Sequence, residues 1–281
     1  MIEENFILKH PNQLELRCTL RIPDGKGLTW LVIVAHGFRG FKDWGFFPYL
    51  CQSLSRSGFV TLSFNHALCG VRENPYQITD PLGFSNNSTT QELKDWDLIL
   101  DSVLTGNLPY SGRIKLHALG IVGHSRGGSY GILLSSRFRQ IQTVVAWGAI
   151  ETFQRFSPEA QRRWRQDGLI EVGNEDSEKR LGLKVAALDA LEQNYDRLDV
   201  LRSMRGLSIP VLLLHGRLDQ TVSVAEAYKL WECADHHLCR FHIIENAGHT
   251  FKTRHPFTSP SQPLMEAVSC TISWLERRLA R

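Results

Sequence analysis

Long apolar runs are missing from this 281-residue chain. No segment stays apolar for the roughly 18 residues that a membrane helix needs. The opening Met1-Ile2-Glu3-Glu4-Asn5-Phe6 has neither the positive n-region nor the apolar h-region of a secretion signal. The expectation is a cytoplasmic chain with no membrane span. An excess of one charge is also missing: 32 Lys plus Arg stand against 29 Asp plus Glu, and the basic residues are scattered. That excludes nucleic acid as the main partner, since a phosphate-binding surface needs a basic stripe. The densest basic cluster, Arg155, Arg162, Arg163 and Arg165, reads as one solvated helix face. Cysteine is sparse, and the six residues Cys18, Cys51, Cys69, Cys233, Cys239 and Cys270 lack metal-ligand spacing. Reduced thiols in or near a core are expected, without a disulfide framework. Asp235-His236-His237 does not make a metal site, because neighbouring side chains at a helix end diverge. Neither terminus is low in complexity, and 42% hydrophobic with 22% charged residues describes a folded globular chain.

What is present is an alternation of short apolar runs with longer amphipathic stretches, the pattern of β-α units around a mostly parallel sheet. Residues 6–9 and 14–22 read as an opening antiparallel pair. Trp30-Leu31-Val32-Ile33-Val34-Ala35 reads as the first strand buried on both faces. Further strands are expected at 59–64, 117–122, 143–147, 210–216 and 240–244. Helices are expected at 46–57, 90–104, from Ser125, at 223–234 and at 261–279. Two stretches break the rhythm. Residues 65–89, rich in Asn, Pro, Gly and Ser, have the length of a binding or covering loop. Residues 150–205 read as an inserted lid within a single domain spanning 1–281, with helices near 157–166 and 185–204. Residues 168–184 are read either as a hairpin or as a plain turn at Gly173-Asn174-Glu175-Asp176.

Leu119-Gly120-Ile121-Val122-Gly123-His124-Ser125-Arg126-Gly127-Gly128 runs an apolar strand into a glycine-bracketed serine that opens a helix. In such an elbow the glycines remove Cβ atoms that would collide in the strained turn, and the serine hydroxyl stands clear above the sheet edge. The pentapeptide alone is weak evidence, because at average residue usage it arises by accident in roughly one chain in ten of this length. Gly127-Gly128-Ser129-Tyr130-Gly131 matches it too, but Ser129 falls one turn inside the helix. Context therefore selects Ser125.

A serine hydroxyl is a poor nucleophile near neutral pH unless a base takes its proton. Two later strand ends offer what is needed: Asp219, after the strand at 210–216, and His249, after the strand at 240–244. Both lie on short loops at carboxyl ends of strands, where open α/β sheets build their sites. His249 is read as general base and acid, and Asp219 as the acid that orients it. Glu151, just past the strand at 143–147, competes for the role of acid, and His255 is the substitute base. Asp219 also has a plain reading as a cap for the helix that follows.

The order Ser125, Asp219, His249 resembles that of the α/β-hydrolase superfamily over nearly the full chain. His36-Gly37-Phe38 with Gly40 and Lys42, followed by Gly-His-Ser-x-Gly-Gly, is similar to its feruloyl (cinnamoyl) esterase branch and acylaminoacyl-peptidase-like relatives. The resemblance implies an α/β-hydrolase fold of about eight strands with helices on both faces and a small lid. It further implies hydrolysis of a small-molecule carboxylic ester through an acyl-enzyme on Ser125, with no cofactor and no metal. The backbone N–H groups of Phe38 and Arg126 would form the oxyanion hole. Two positions depart from that branch: Arg126 stands where Gln or Met is frequent, and Phe64-Asn65-His66-Ala67-Leu68 replaces an Asp-x-Arg-Gly type of loop. Arg126, Arg39 and Lys42 are read either as solvated or as a preference for an anionic acyl group. Trp44, Phe46, Phe47, Trp147, Phe153 and Trp164 are read either as core or as lining of an acyl pocket. A thioesterase, an acyl transferase or a small peptidase would use the same triad. A non-catalytic ligand-binding protein on the same scaffold is the alternative from a different class. Aspartate-nucleophile chemistry is excluded by serine at the elbow, and the sequence carries no signal of oligomeric state.

Overall fold

The computed structural model describes residues 1–25, 27–173 and 181–279. Its frame is one eight-stranded sheet in the order β1-β2-β4-β3-β5-β6-β9-β10. These strands are β1 (Ile2–Lys9), β2 (Glu15–Ile22), β3 (Thr29–Ala35), β4 (Val60–Phe64), β5 (Ile114–His124), β6 (Ile141–Trp147), β9 (Val211–Gly216) and β10 (Cys239–Ile244). β2 runs antiparallel to both β1 and β4, and every other pairing is parallel.

Parallel strands are covered on both faces, which is why residues 31–35 of β3, 119–122 of β5 and 211–214 of β9 are buried runs without a charged residue. Alternate residues enter opposite cores. Leu31, Ile33 and Ala35 join Trp96, Ile99, Tyr130 and Leu133 on one face, while Val32 and Val34 join Leu50, Leu54, Leu264 and Leu275 on the other. The first face is layered by α3 (Thr89–Leu104), α4 (Arg126–Ser135), α7 (Val200–Gly206) and α8 (Val224–Cys233), and the second by α1 (Phe47–Arg56) and α9 (Gln262–Leu279). All six cysteines are free thiols, and burial pushes the thiols of Cys18, Cys69 and Cys239 up to about 12. No helix among the described residues is long and apolar enough to cross a membrane.

The 65–89 stretch contains the short helix α2 (Pro81–Ser85), capped by Asp80 accepting from the Gly83 amide, and an isolated bridge between Val71 and Ile78. Between β6 and β9 the chain forms α5 (Pro158–Asp167), the antiparallel pair β7 (Leu169–Val172) and β8 (Leu181–Lys184), α6 (Ala186–Gln193) and α7. The antiparallel pair of the hairpin reading is thus present, and residues 174–176 of the alternative turn at Gly173-Asn174-Glu175-Asp176 lie outside the described residues.

The single helix expected over 185–204 is instead two. Asn194 closes α6 by bonding back to the Ala190 carbonyl and across to the Thr90 hydroxyl, and a 3₁₀ turn follows at Tyr195–Leu198. Asp199 then caps α7 by accepting from the Arg202 amide. An Asp cap starts a new helix more favourably than it sits inside an old one, which overrides the continuous amphipathic pattern.

From β3 the chain moves to β4 on one side and then returns to place β5 on the other. The carboxyl ends of β3 and β5 therefore flank the topological switch point, where open α/β sheets leave a crevice.

Candidate active site

Ser125 lies directly after β5 at φ 54° and ψ −124°, a left-handed conformation that costs a non-glycine residue of order 1–3 kcal/mol. The surroundings enforce it. A Cβ on Gly123 would fall 2.3 Å from the Gly127 backbone, so the turn closes only with glycine there. The Ser125 amide donates to the Trp147 carbonyl at 2.7 Å, which ties the elbow to the end of β6, and its carbonyl accepts from Gly128 at 3.0 Å. The Ser125 hydroxyl makes no hydrogen bond to a described residue.

His249 and Asp219 meet across the ends of β9 and β10. His249 Nδ1 donates to Asp219 Oδ2 at 2.7 Å, which leaves Nε2 of the neutral ring with its lone pair. The other carboxylate oxygen accepts from the amides of Thr221 and Val222, both at 2.9 Å. His215 Nε2 lies 3.3 Å from Oδ2 and bonds to the Val222 carbonyl at 2.8 Å. Burial alone would raise the Asp219 carboxyl, but the His215 and His249 N–H groups and the Val222 amide outweigh it, holding it well below the usual carboxylate range.

His124, the residue before the serine, locks the two halves together. Its ring sits 4.5 Å from that of His249, and its Nε2 donates to the His249 carbonyl at 2.8 Å. Burial pushes His124 down to about 3, so the imidazole is neutral and the donor assignment is unique. The sequence places His124 only inside the serine pentapeptide and carries no signal of this contact.

The loop after β3 lies against the serine. A Cβ on Gly37 would be 2.9 Å from Ser125 Cβ and 3.4 Å from its Oγ. The amides of Phe38 and of Arg126, the first residue of α4, have no hydrogen-bond acceptor among the described residues. Both N–H groups are thus free, one on the loop whose Gly37 abuts Ser125 and the other on the residue that follows it.

The Arg126 side chain turns inward. Its guanidinium lies 4.3 Å over the Phe38 ring and 5.7 Å from that of Phe153, and Nη1 reaches both carboxylate oxygens of Glu92 at 3.2 Å. Glu92, on α3, also accepts from Tyr130 Oη at 2.7 Å and Asn87 Nδ2 at 2.9 Å. Burial would raise Glu92, but Arg126 foremost, with His66 and the Tyr130 hydroxyl, holds it below its ordinary value. Lys42 is likewise paired, with Asp43 at 2.6 Å. Of the three cations weighed from sequence, only Arg39 has no ion-pair partner among the described residues. A strongly cationic acyl site is therefore not what the geometry offers.

The competing candidates are occupied elsewhere. Glu151 pairs with Lys229 at 2.7 Å. His255 accepts from the Gly45 amide through Nδ1 and reaches the Tyr76 carbonyl through Nε2. Ser129 is sealed in α4, donating to the Ile150 carbonyl at 2.7 Å. His236 stacks on Trp231, and no cluster able to hold a metal exists among the described residues. Of the six aromatics, Phe46, Phe47 and Trp147 are core, with Trp44 packed at its edge. Trp164, on α5, is buried against Phe84, Val172, Leu181 and Leu183, and Phe153 belongs to the core on the other sheet face and comes near Arg126.

A family model described as the alpha/beta hydrolase family matches residues 32–267. The chain belongs to that family. Among solved structures, it is similar to Est1E from Butyrivibrio proteoclasticus with ferulic acid bound (TM-score 0.71, 17% identity, covering 95% of this chain and 96% of that one). It is similar as well to the esterase domain of a Rhodothermus marinus protein (0.66, 18%, 99% of each). A dienelactone hydrolase from Anabaena variabilis is a third (0.59, 18%, 99% of each). No curated protein sequence matches the chain.

Proposed function

We propose that the protein hydrolyses carboxylic esters through an acyl-enzyme on Ser125, with His249 as general base and then acid and Asp219 as the orienting carboxylate. The observation that carries this reading is the 2.7 Å Nδ1 to Oδ2 bond, which leaves the far nitrogen of His249 free to accept a proton, together with a strained, unbonded Ser125 whose chain neighbour His124 packs 4.5 Å from the His249 ring. As substrate binds, Nε2 takes the Ser125 proton while Oγ attacks the ester carbonyl; nucleophile–base bonds that are loose in a free enzyme tighten in the Michaelis complex. Asp219 holds the tautomer and stabilises the imidazolium. The Phe38 and Arg126 amides donate to the oxygen as its charge develops. Each such donor contributes on the order of 3 kcal/mol to lowering the barrier. His249 then returns the proton to the leaving alkoxide, and water repeats the cycle on the acyl-enzyme.

Residues 150–205 act in this reading as a lid. Trp164, Val172, Leu181 and Leu183 form an apolar cluster with Phe84, and Phe38 packs against it, so the insertion roofs one of the two oxyanion donors. The ferulic acid bound by Est1E makes aryl esters the first substrates to try.

The test is a fluorophosphonate probe followed by turnover of nitrophenyl esters of increasing acyl length and of methyl ferulate. Labelling at Ser125 and turnover lost by on the order of 10⁶-fold in Ser125→Ala are expected. Retained turnover in that variant would refute the assignment, and labelling without any ester turnover would favour a different acyl acceptor or a binding role.

A further inference from the structure

We propose that Asp95, on α3 and outside the catalytic groups, is a positioning residue that aims the Phe38 amide of the oxyanion hole. The inference rests on the esterase reading above.

Asp95 is completely buried, and each of its oxygens is used twice. Oδ2 accepts from the Ala67 amide at 2.9 Å and from His66 Nδ1 at 3.0 Å, and Oδ1 accepts from His10 Nε2 and Gln91 Nε2, both at 2.8 Å. It thereby fixes the loop after β4, the stretch where this chain departs from its relatives' pattern. That loop hands the constraint on: the His66 amide donates to His36 Nε2 at 3.3 Å. With Nε2 accepting, the His36 proton is on Nδ1, which donates to the Gly37 carbonyl at 2.8 Å. Burial pushes His36 down to about 3, which keeps the ring neutral and this tautomer in place. The Gly40 amide adds a second bond to the same carbonyl at 3.0 Å.

The last step is geometric. The Gly37 carbonyl and the Phe38 N–H belong to one planar trans peptide, so they point in opposite directions. Two donors pin the oxygen, and the free N–H is thereby aimed the other way, on a loop whose Gly37 touches Ser125. A buried carboxylate thus acts through two backbone amides and two imidazoles on a donor it never touches.

In Asp95→Asn one of the two oxygens becomes an NH₂, so two of the four donors lose their acceptor and the loop after β4 is released. An oxyanion donor displaced by a fraction of an ångström to 1 Å costs about 10- to 100-fold in rate. The expected result is a fall of that size in kcat for 4-nitrophenyl benzoate, with KM held within about threefold. A purely structural role could lower kcat too, so the deciding readout is the ratio of kcat/KM for that ester to kcat/KM for its thionobenzoate analogue. Sulfur is larger and a poor acceptor, so the thionoester gains little from the hole. The ratio should collapse about tenfold in the variant because only the oxygen ester has that donor to lose.

His66→Phe keeps the ring packing and removes the Nδ1–H, and should shift the ratio in the same direction by a smaller factor. It carries the test if Asp95→Asn does not fold. An equal loss on both esters, or no loss, would overturn the proposal for Asp95 alone. A wild type that is labelled by fluorophosphonate yet turns over no ester would remove the esterase reading, and this inference with it.

Discussion

Two carboxylates in this molecule are built almost alike. Asp219 and Asp95 each sit buried, each lies within bonding distance of two histidine nitrogens, and Asp219 takes two backbone amides where Asp95 takes one. They differ in what their histidines face. His249 is 15% exposed and packs on His124, the residue before the strained serine, whereas His66 is 4% exposed and sealed under Phe64, Trp96 and Tyr130. An aspartate–histidine pair is therefore not catalytic by composition; in the proposed mechanism the group beside the second imidazole nitrogen decides whether it moves protons or holds a loop.

The comparison breaks most sharply on activity. Asp219→Asn removes the acceptor that selects the His249 tautomer, and kcat should fall by about 10⁴-fold, as expected when a triad imidazole is left in the wrong tautomer. That is a hundredfold or more beyond the loss expected at Asp95. Steady-state kinetics of the two variants side by side check it, and equal losses would erase the distinction. Stability should run the opposite way. Asp95→Ala leaves four buried donors without an acceptor and should cost about 3 kcal/mol or more. Asp219→Ala opens onto loops that water can reach past His249, and should cost about half as much. Urea denaturation at pH 7.5 separates the two, and a larger loss at Asp219 would sink the argument.

The same pair shows what can be read from a linear chain. Asp219 and His249 were legible because each follows an apolar run by a few residues, so sequence alone puts them at strand ends, and the parallel sheet brings strand ends together. Asp95 and Glu92 were not. They sit among Leu93, Trp96 and Leu100 in α3, where an amphipathic reading assigns charged residues to solvent, and only the loops of β4 and β5 folding over that helix make them interior. The family assignment came from the first kind of signal. The inward turn of Arg126, the role of His124 and the break at Asn194 depend on contacts between segments distant in sequence, which no local period encodes.

Acid should blur the contrast, because each region holds one neutral buried imidazole. His36 beside the Asp95 network and His124 beside His249 are both pushed down to about 3, against an ordinary value near 6.5 in the unfolded chain. Between those values the unfolded chain binds more protons than the folded one. Stability therefore rises with pH through this window, is fully present above about 6.5, and is lost on acidification toward 3. Each histidine contributes at most about 1.4 kcal/mol per pH unit. Asp219, held low, adds its own loss only below about 4, where an unfolded carboxylate begins to take up protons. Melting curves at pH 7.5, 6, 5 and 4 should thus fall before any carboxylate titrates, and His124→Gln should flatten the upper part of that fall. A midpoint that stays level from pH 7 to 4.5 would contradict the buried neutral rings.

The smallest effect belongs to a third carboxylate. Glu151 follows β6 at a position that competes with Asp219 on sequence alone, yet its oxygen bonds Lys229, whose side chain is 56% exposed. Ion pairs reaching into water contribute about 0–1 kcal/mol, because solvent screens them and long side chains resist being fixed. Glu151→Gln should therefore shift stability by less than about 1 kcal/mol and leave kcat within about twofold, since the amide can still accept from Lys229 and His249 keeps its own partner. A drop in kcat approaching that of Asp219→Asn would mean that the acid had been placed on the wrong strand, and that the 2.7 Å bond at β9 is not the one that orients the base.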